Sequence, residues 1–246
     1  MDGVGGDLPP SGSDPGPPYL PDYFRCFDAH HCHHRALSSS SRCLPGRDYT
    51  VTITQRRSPV VILSIHGGLI EPFSTEVSNV AAERFGWIHY DFSAHGTPAC
   101  LGGRSDRDQL HITASHFDDP AAVWLVAAPG ARAVAIHGNR YLAIPGQICV
   151  GGGNQAERTA FLTAVDNAPV TWTDYPLLPM TTLQSVVCSS VSGDDPRNLV
   201  NRVASGRGGL QLELSLQLLA DLNNPDPRYD TLRAVFYGAL GAAMAY

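Results

Sequence analysis

Ser58 to Glu71 reads S-P-V-V-I-L-S-I-H-G-G-L-I-E, and its two halves carry different signals. Val60 to Ile65 is a short, β-branched run of the kind that forms a buried strand, and Gly67-Gly68 marks the turn that closes it. Open α/β sheets place their chemistry where strands end and loops begin. His66 stands at that strand end and Glu71 just past the turn. The glycines let the backbone fold back tightly, so imidazole and carboxylate can converge on one point. Both are donor types that zinc accepts. A polar strand end with two unrelated side chains is the plainer reading of the same residues.

A second strand ends the same way. Ala131 to Ile136 is apolar and runs into His137-Gly138. Around these two, Tyr49 to Thr54 alternates with period two and predicts an edge strand, and Trp87 to Phe92 predicts another strand. Thr75 to Phe85 predicts a helix stopped by Gly86, and Asp119-Pro120 opens one that Pro129-Gly130 breaks. Further on come a strand at Gln147 to Val150, a helix from Asn154 to Asn167, a strand near Gly209 to Leu214 and a last helix from about Tyr229. This alternation predicts an α/β fold, a mixed and mainly parallel open sheet with helices on both faces.

The chain has 246 residues, enough for one α/β domain with a full core. Met1 to about Pro21 is Gly, Pro, Ser and Asp, with little to bury, and predicts disorder. Asp28 to His34 packs four histidines and Cys32 into one short run, but adjacent residues rarely face one ion and the spacing fits no zinc finger. The expected division is a disordered or loosely ordered segment over 1–47 and a catalytic α/β domain over 48–246. The six cysteines do not demand a disulfide framework in a chain this long, and Cys149 and Cys188 read as buried thiols.

A formal net charge of -6 argues against a nucleic-acid partner. No apolar stretch reaches the length of a membrane helix. A basic segment followed by an apolar one is missing near Met1, so the default expectation is a cytoplasmic protein, with leaderless export left open. Oligomeric state is not legible.

Leu210 to Leu214 puts leucines on one strand face and Gln211, Glu213 and Ser215 on the other. Glu213 then faces either water or a cleft, where it would serve as a general base. Two histidines and a carboxylate are a common protein set for one catalytic zinc ion with an open fourth position. His66 and Glu71 supply two donors, and His137 or His111, in L-H-I-T-A-S-H-F-D, a third.

H-G-G-L-I-E-P, L-H-I-T-A-S-H-F-D-D-P, A-V-A-I-H-G and G-L-Q-L-E-L-S occur in that order. In this the chain resembles the phage-type poly-γ-glutamate hydrolases over roughly Asp48 to Leu219. The resemblance implies a zinc-carboxypeptidase-like fold, with His66 and Glu71 as the first two zinc ligands, His137 as the third and Glu213 as general base. It leaves His111 as an alternative ligand or a contact to the substrate or tetrahedral intermediate. Family members usually carry Gly where this chain has Leu69 and Phe73, so the turn and the space beside it should differ here.

Poly-γ-glutamate carries a carboxylate on every unit, which calls for guanidinium groups. Arg202 and Arg207, both shortly before Glu213, are the first candidates, with Arg104 and Arg107 behind them. Asn201-Arg202 also resembles the Asn-Arg pair that holds a substrate carboxylate in carboxypeptidases. The implied activity is hydrolysis of γ-glutamyl amides by water activated on zinc. The competing readings are a zinc amidase for small N-acyl or γ-glutamyl amino acids and a zinc-binding protein without catalysis.

Overall fold

The computed structural model describes residues 43–170 and 175–245. The His30 to His34 run, Cys26 and Cys32 lie outside the described residues. Seven strands form one sheet: β1 Tyr49–Thr54, β2 Val60–Gly68, β3 Ile88–Ala94, β4 Arg132–Asn139, β5 Gln147–Gly151, β6 Leu178–Met180 and β7 Leu210–Ser215. Their order is β1-β3-β2-β4-β7-β5-β6. The inner four, β3, β2, β4 and β7, are parallel. β1 joins β3 antiparallel at one edge, and β5 joins β7 antiparallel near the other. The mixed, mainly parallel sheet and the edge position of β1 are as the alternation predicts.

The helices are α1 Ser74–Phe85, α2 Pro98–Leu101, α3 Asp106–Leu110, α4 Pro120–Ala127, α5 Gln155–Asp166, α6 Val186–Ser190, α7 Leu216–Asn223 and α8 Asp230–Ala243. Period two sorts the strand side chains between two cores. Val60, Ile62, Val134 and Leu212 pack with α1, α5, α7 and α8 on one face. Val61, Leu63, Ile65 and Ala135 pack with α4 and the α2–α3 loops on the other. Both faces are therefore covered, which is why the strands read as nearly continuous apolar runs.

Local chemistry sets the helix starts. Asp119 accepts the amides of Ala121 and Ala122 ahead of Pro120, and Asn154 accepts those of Ala156 and Glu157. Gly86 ends α1 in the left-handed conformation that a helix stop requires.

The cysteines depart from expectation. Cys149 and Cys188 are not thiols but a disulfide joining β5 to α6, with Cα atoms 5.2 Å apart. Cys43, ahead of Asp48, is buried and bonded to Cys100 of α2. In both pairs the fold brings together residues far apart in sequence, at Cα separations a disulfide can span. Asp48 reinforces the first junction by accepting from the Leu44 amide, from Arg47, and from the amide and hydroxyl of Thr97. Those partners overcome the opposing effect of burial and hold its carboxyl well below the usual range.

Candidate metal centre

β2 delivers His66 and then turns within two residues. Gly67 is needed because a Cβ there would lie 2.1 Å from Thr75 Oγ1 and 2.7 Å from Asp91 Oδ1. Gly68 has φ +65°, and a Cβ on it would meet the Ala94 carbonyl. The Glu71 amide then donates back to the His66 carbonyl at 2.9 Å, which lays the Glu71 side chain over His66. Leu69 is accommodated without a positive φ. Phe73, at φ 71°, is the non-glycine among the described residues that takes the left-handed conformation instead.

His137 arrives from β4 and Glu213 from β7. The two strands pair in a register that sets His137 beside Glu213. Residues paired in this way project from the same face of the sheet. His66 Nδ1 lies 3.0 Å from Glu71 Oε1 and 3.0 Å from His137 Nδ1. His137 Nδ1 lies 3.3 Å from Glu71 Oε2, which also accepts the Gly138 amide at 2.9 Å. All three side chains are buried.

The donor chemistry fits a cation. His66 Nε2 sits 2.7 Å from the Ile112 carbonyl, so that nitrogen carries the proton. In the neutral ring Nδ1 is then a lone pair aimed at Glu71 and His137, the arrangement a backbone carbonyl imposes on metal-bound imidazoles. Four-coordinate zinc with bonds of about 2.0–2.1 Å spaces its donors roughly 3.3 Å apart, close to the distances above. His111 flanks this group, with its ring centroid 4.1 Å from that of His66. His66, Glu71 and His111 offer donor atoms within 4.8 Å of one another, a looser set.

Electrostatics separate the roles. Burial pushes the Glu71 carboxyl up, but His66 and His137 outweigh it and hold the group well below the usual range. Burial pulls His137 down, and the Glu71 carboxylate more than restores it. Burial and the neighbouring His66 lower His111 to about 4 and keep it neutral. Glu213 is only 8 % exposed, and burial raises its carboxyl. Its oxygens accept from Gln211 Nε2 at 3.0 Å and Asn139 Nδ2 at 3.3 Å.

The arginines fall out differently from their ranking in sequence. Arg107 reaches the centre, with Nη1 4.0 Å from Glu71 Oε1 and the side chain 31 % exposed. Arg202 is engaged by the Arg197 and Ser115 carbonyls, at 2.8 and 3.2 Å. Asn201 gives both of its polar atoms to backbone, donating to Gly193 and Asp195 and accepting from Gly153 and Gly209. Arg207 is exposed in the loop that precedes β7. Asn139 and Gln211 were not singled out in sequence. Each stands two positions from a named residue on its strand, His137 or Glu213, and so shares its face.

Comparison with known proteins follows this geometry. The bacteriophage poly-gamma-glutamate hydrolase structure superposes with a TM-score of 0.61 at 24% identity, covering 81% of this chain and 89% of that one. The zinc-free apo structure of YndL gives a TM-score of 0.57 at 22% identity, covering 79% of this chain and 90% of that one. Both show a shared fold. In sequence, the UPF0714 protein YndL of Bacillus subtilis (strain 168) is 26% identical over 169 residues, 68% of this chain and 58% of that protein. The chain thus spans little more than half the length of that curated relative. Residues 35–226 match the family described as Poly-gamma-glutamate hydrolase, and the chain belongs to that family.

Proposed function

We propose that the protein is a zinc-dependent hydrolase of γ-glutamyl amide bonds and that its substrate is poly-γ-glutamate. The observation that carries this reading is the convergence of His66, Glu71 and His137 donors at 3.0–3.3 Å beside the buried Glu213. His66, Glu71 and His137 would hold the ion, and His111 flanks it as a contact to substrate. Bound zinc supplies a Lewis acid and brings the pKa of water down to about 7. Glu213, raised by burial, takes the proton from the attacking water and returns it to the leaving amine. Arg107 is positioned to face the charge that develops on the amide oxygen or to pair with a substrate carboxylate.

A second reading keeps this chemistry and changes the substrate to small γ-glutamyl or N-acyl amino acids. It draws on Leu69 and Phe73, 61 % and 38 % exposed on either side of Glu71, which put apolar bulk beside the centre. The two disulfides support an oxidising compartment over the default cytoplasmic one, because cytosolic thiols are kept reduced. Among the described residues no helix is long and apolar enough to cross a membrane.

The test is depolymerisation of poly-γ-glutamate followed by size-exclusion chromatography, with native protein, with chelator and with Glu213→Gln. Polymer shortening that both the chelator and Glu213→Gln abolish is expected. Unchanged polymer with one zinc per chain would sink the polymer reading and pass the question to small γ-glutamyl amides.

A further inference from the structure

Glu213 is held by an oriented chain of buried amides. The Val200 amide donates to Asn198 Oδ1 at 3.2 Å, and Asn198 Nδ2 donates to Gln211 Oε1 at 2.7 Å. Gln211 Nε2 donates onward to Glu213 Oε1 at 3.0 Å and spends its other hydrogen on the Val191 carbonyl at 3.3 Å. The direction of every link is forced. A backbone N–H can only donate, so the oxygen of Asn198 must face Val200 and its nitrogen must face Gln211. Gln211 in turn must show its oxygen to Asn198 and its nitrogen to Glu213. Asn198 and Gln211 are both buried, so water offers the link between them no ready substitute partner.

The wall behind the chain is equally close. Gly193 has φ +64°, and a Cβ on it would lie 2.6 Å from Gln211 Cδ. Cys188, at the other end of that segment, is bonded to Cys149, which is the cross-strand partner of Glu213. The segment that backs Gln211 is therefore tied to the strand beside Glu213.

We infer that Gln211, backed by Asn198, is a positioning residue that, opposite the Asn139 amide on the other oxygen, fixes the Glu213 carboxylate on the reacting centre. Gln211 can only donate to Glu213 Oε1, so it cannot take up a proton that Glu213 releases. Its work is to hold the carboxylate in one rotamer, and Asn198 acts through it. This inference rests on the reading of Glu213 as the base.

The experiment compares native protein, Gln211→Met, Asn198→Ala, the double variant and Glu213→Gln. It reads kcat and KM on poly-γ-glutamate, zinc per chain, and crystal structures of the folded variants. Gln211→Met is expected to lower kcat by roughly 10- to 100-fold, as a small misplacement of a catalytic group does, with KM within about 2-fold and zinc retained. Asn198→Ala should lower kcat less, and should add nothing in the Gln211→Met background. The structures should show the Glu213 carboxylate turned from its native position.

Native kcat in folded Gln211→Met, with Glu213→Gln inactive, would overturn this inference alone. Turnover by Glu213→Gln would instead remove the base reading beneath it. An unmoved Glu213 carboxylate in Gln211→Met would overturn the inference even where no substrate is turned over. If Gln211→Met does not fold, Asn198→Ala carries the same comparison, and native kcat with an unmoved carboxylate there overturns it.

Discussion

Arg107 is the residue on which sequence and structure differ most usefully. It sits in α3, a five-residue helix with no apolar stripe, so no periodicity pointed to it. Its position comes from a local helix cap and a bond to the preceding loop. Ser105 caps α3 by accepting the Asp108 amide, and Asp106 accepts the Gly96 amide at 2.6 Å. Arg107→Ala is expected to lower kcat/KM on the polymer roughly 30-fold, about 2 kcal/mol of transition-state stabilisation. Arg107→Lys should recover only part, because an ammonium lacks the planar fork. Zinc content should not change in either variant; loss of zinc from both would reassign Arg107 to holding the centre together. His66 and His137 stood out as candidates because a His-Gly pair ending an apolar run breaks a simple pattern, whereas Glu71 stood out past the turn and Glu213 on the polar face of an alternating strand. Asn201 and Arg202 were candidates through their likeness to a carboxylate-binding pair, and in the fold both side chains bond backbone groups, Asn201 those of Gly193 and Gly153 and Arg202 those of Arg197 and Ser115.

Elements were legible wherever one periodicity ruled. β1, β2, β4, α1, α4 and α5 fall within a residue or two of their expected places, apart from the extension of β2 and β4 through His-Gly. α7 was not legible, because L-Q-L-E-L-S-L-Q-L-L satisfies period two and then a helical stripe with no break in composition. The break is Ser215, whose hydroxyl accepts the Leu218 amide and starts α7. β6 has three residues and includes Pro179, too short for any alternation. Between β2, β3 and α1 runs a polar seam: Ser64, Thr75 and Ser93 all donate to Asp91, and His89 Nε2 lies 2.9 Å from Ser64 Oγ. Burial lowers His89 from 6.5, with Arg56 acting in the same direction and Asp91 against it. The unfolded chain therefore takes up a proton as pH falls below about 6.5 that the folded protein refuses. Stability from this group is full above that pH and is lost progressively as pH drops toward the lowered folded value. Urea midpoints measured from pH 7.5 to 5.5 should fall in the native protein and fall less steeply in His89→Gln. Parallel slopes would assign the pH dependence to other groups.

At the scale of the whole molecule, composition bounded size and charge but said nothing of which cysteines meet. Separations of 57 and 39 residues have no sequence signature, and only the packed sheet brings the partners together. Closing loops of that length stabilises a protein by about 4 kcal/mol in the chain-entropy account, against a typical range of about 2–4 kcal/mol. Replacing Cys149 and Cys188 together by Ser should cost an amount in this range, read from denaturant midpoints under non-reducing conditions. Equal midpoints for the native protein with and without reductant would show that neither bridge contributes.

The strand order has a consequence for how the molecule comes together. β7 lies between β4 and β5, although both precede it in the chain by some sixty residues or more. Until β7 enters, the sheet is two unconnected pieces, one bearing His66, Glu71 and His137 and the other bearing β5 and β6. The strand that closes the gap is the strand that carries Glu213. Joining the sheet and supplying the proposed base are thus one assembly event, and such long-range closure is slow for a chain to reach. A ribosome that has released the chain only as far as Ser205 has made every proposed metal ligand but not the proposed base.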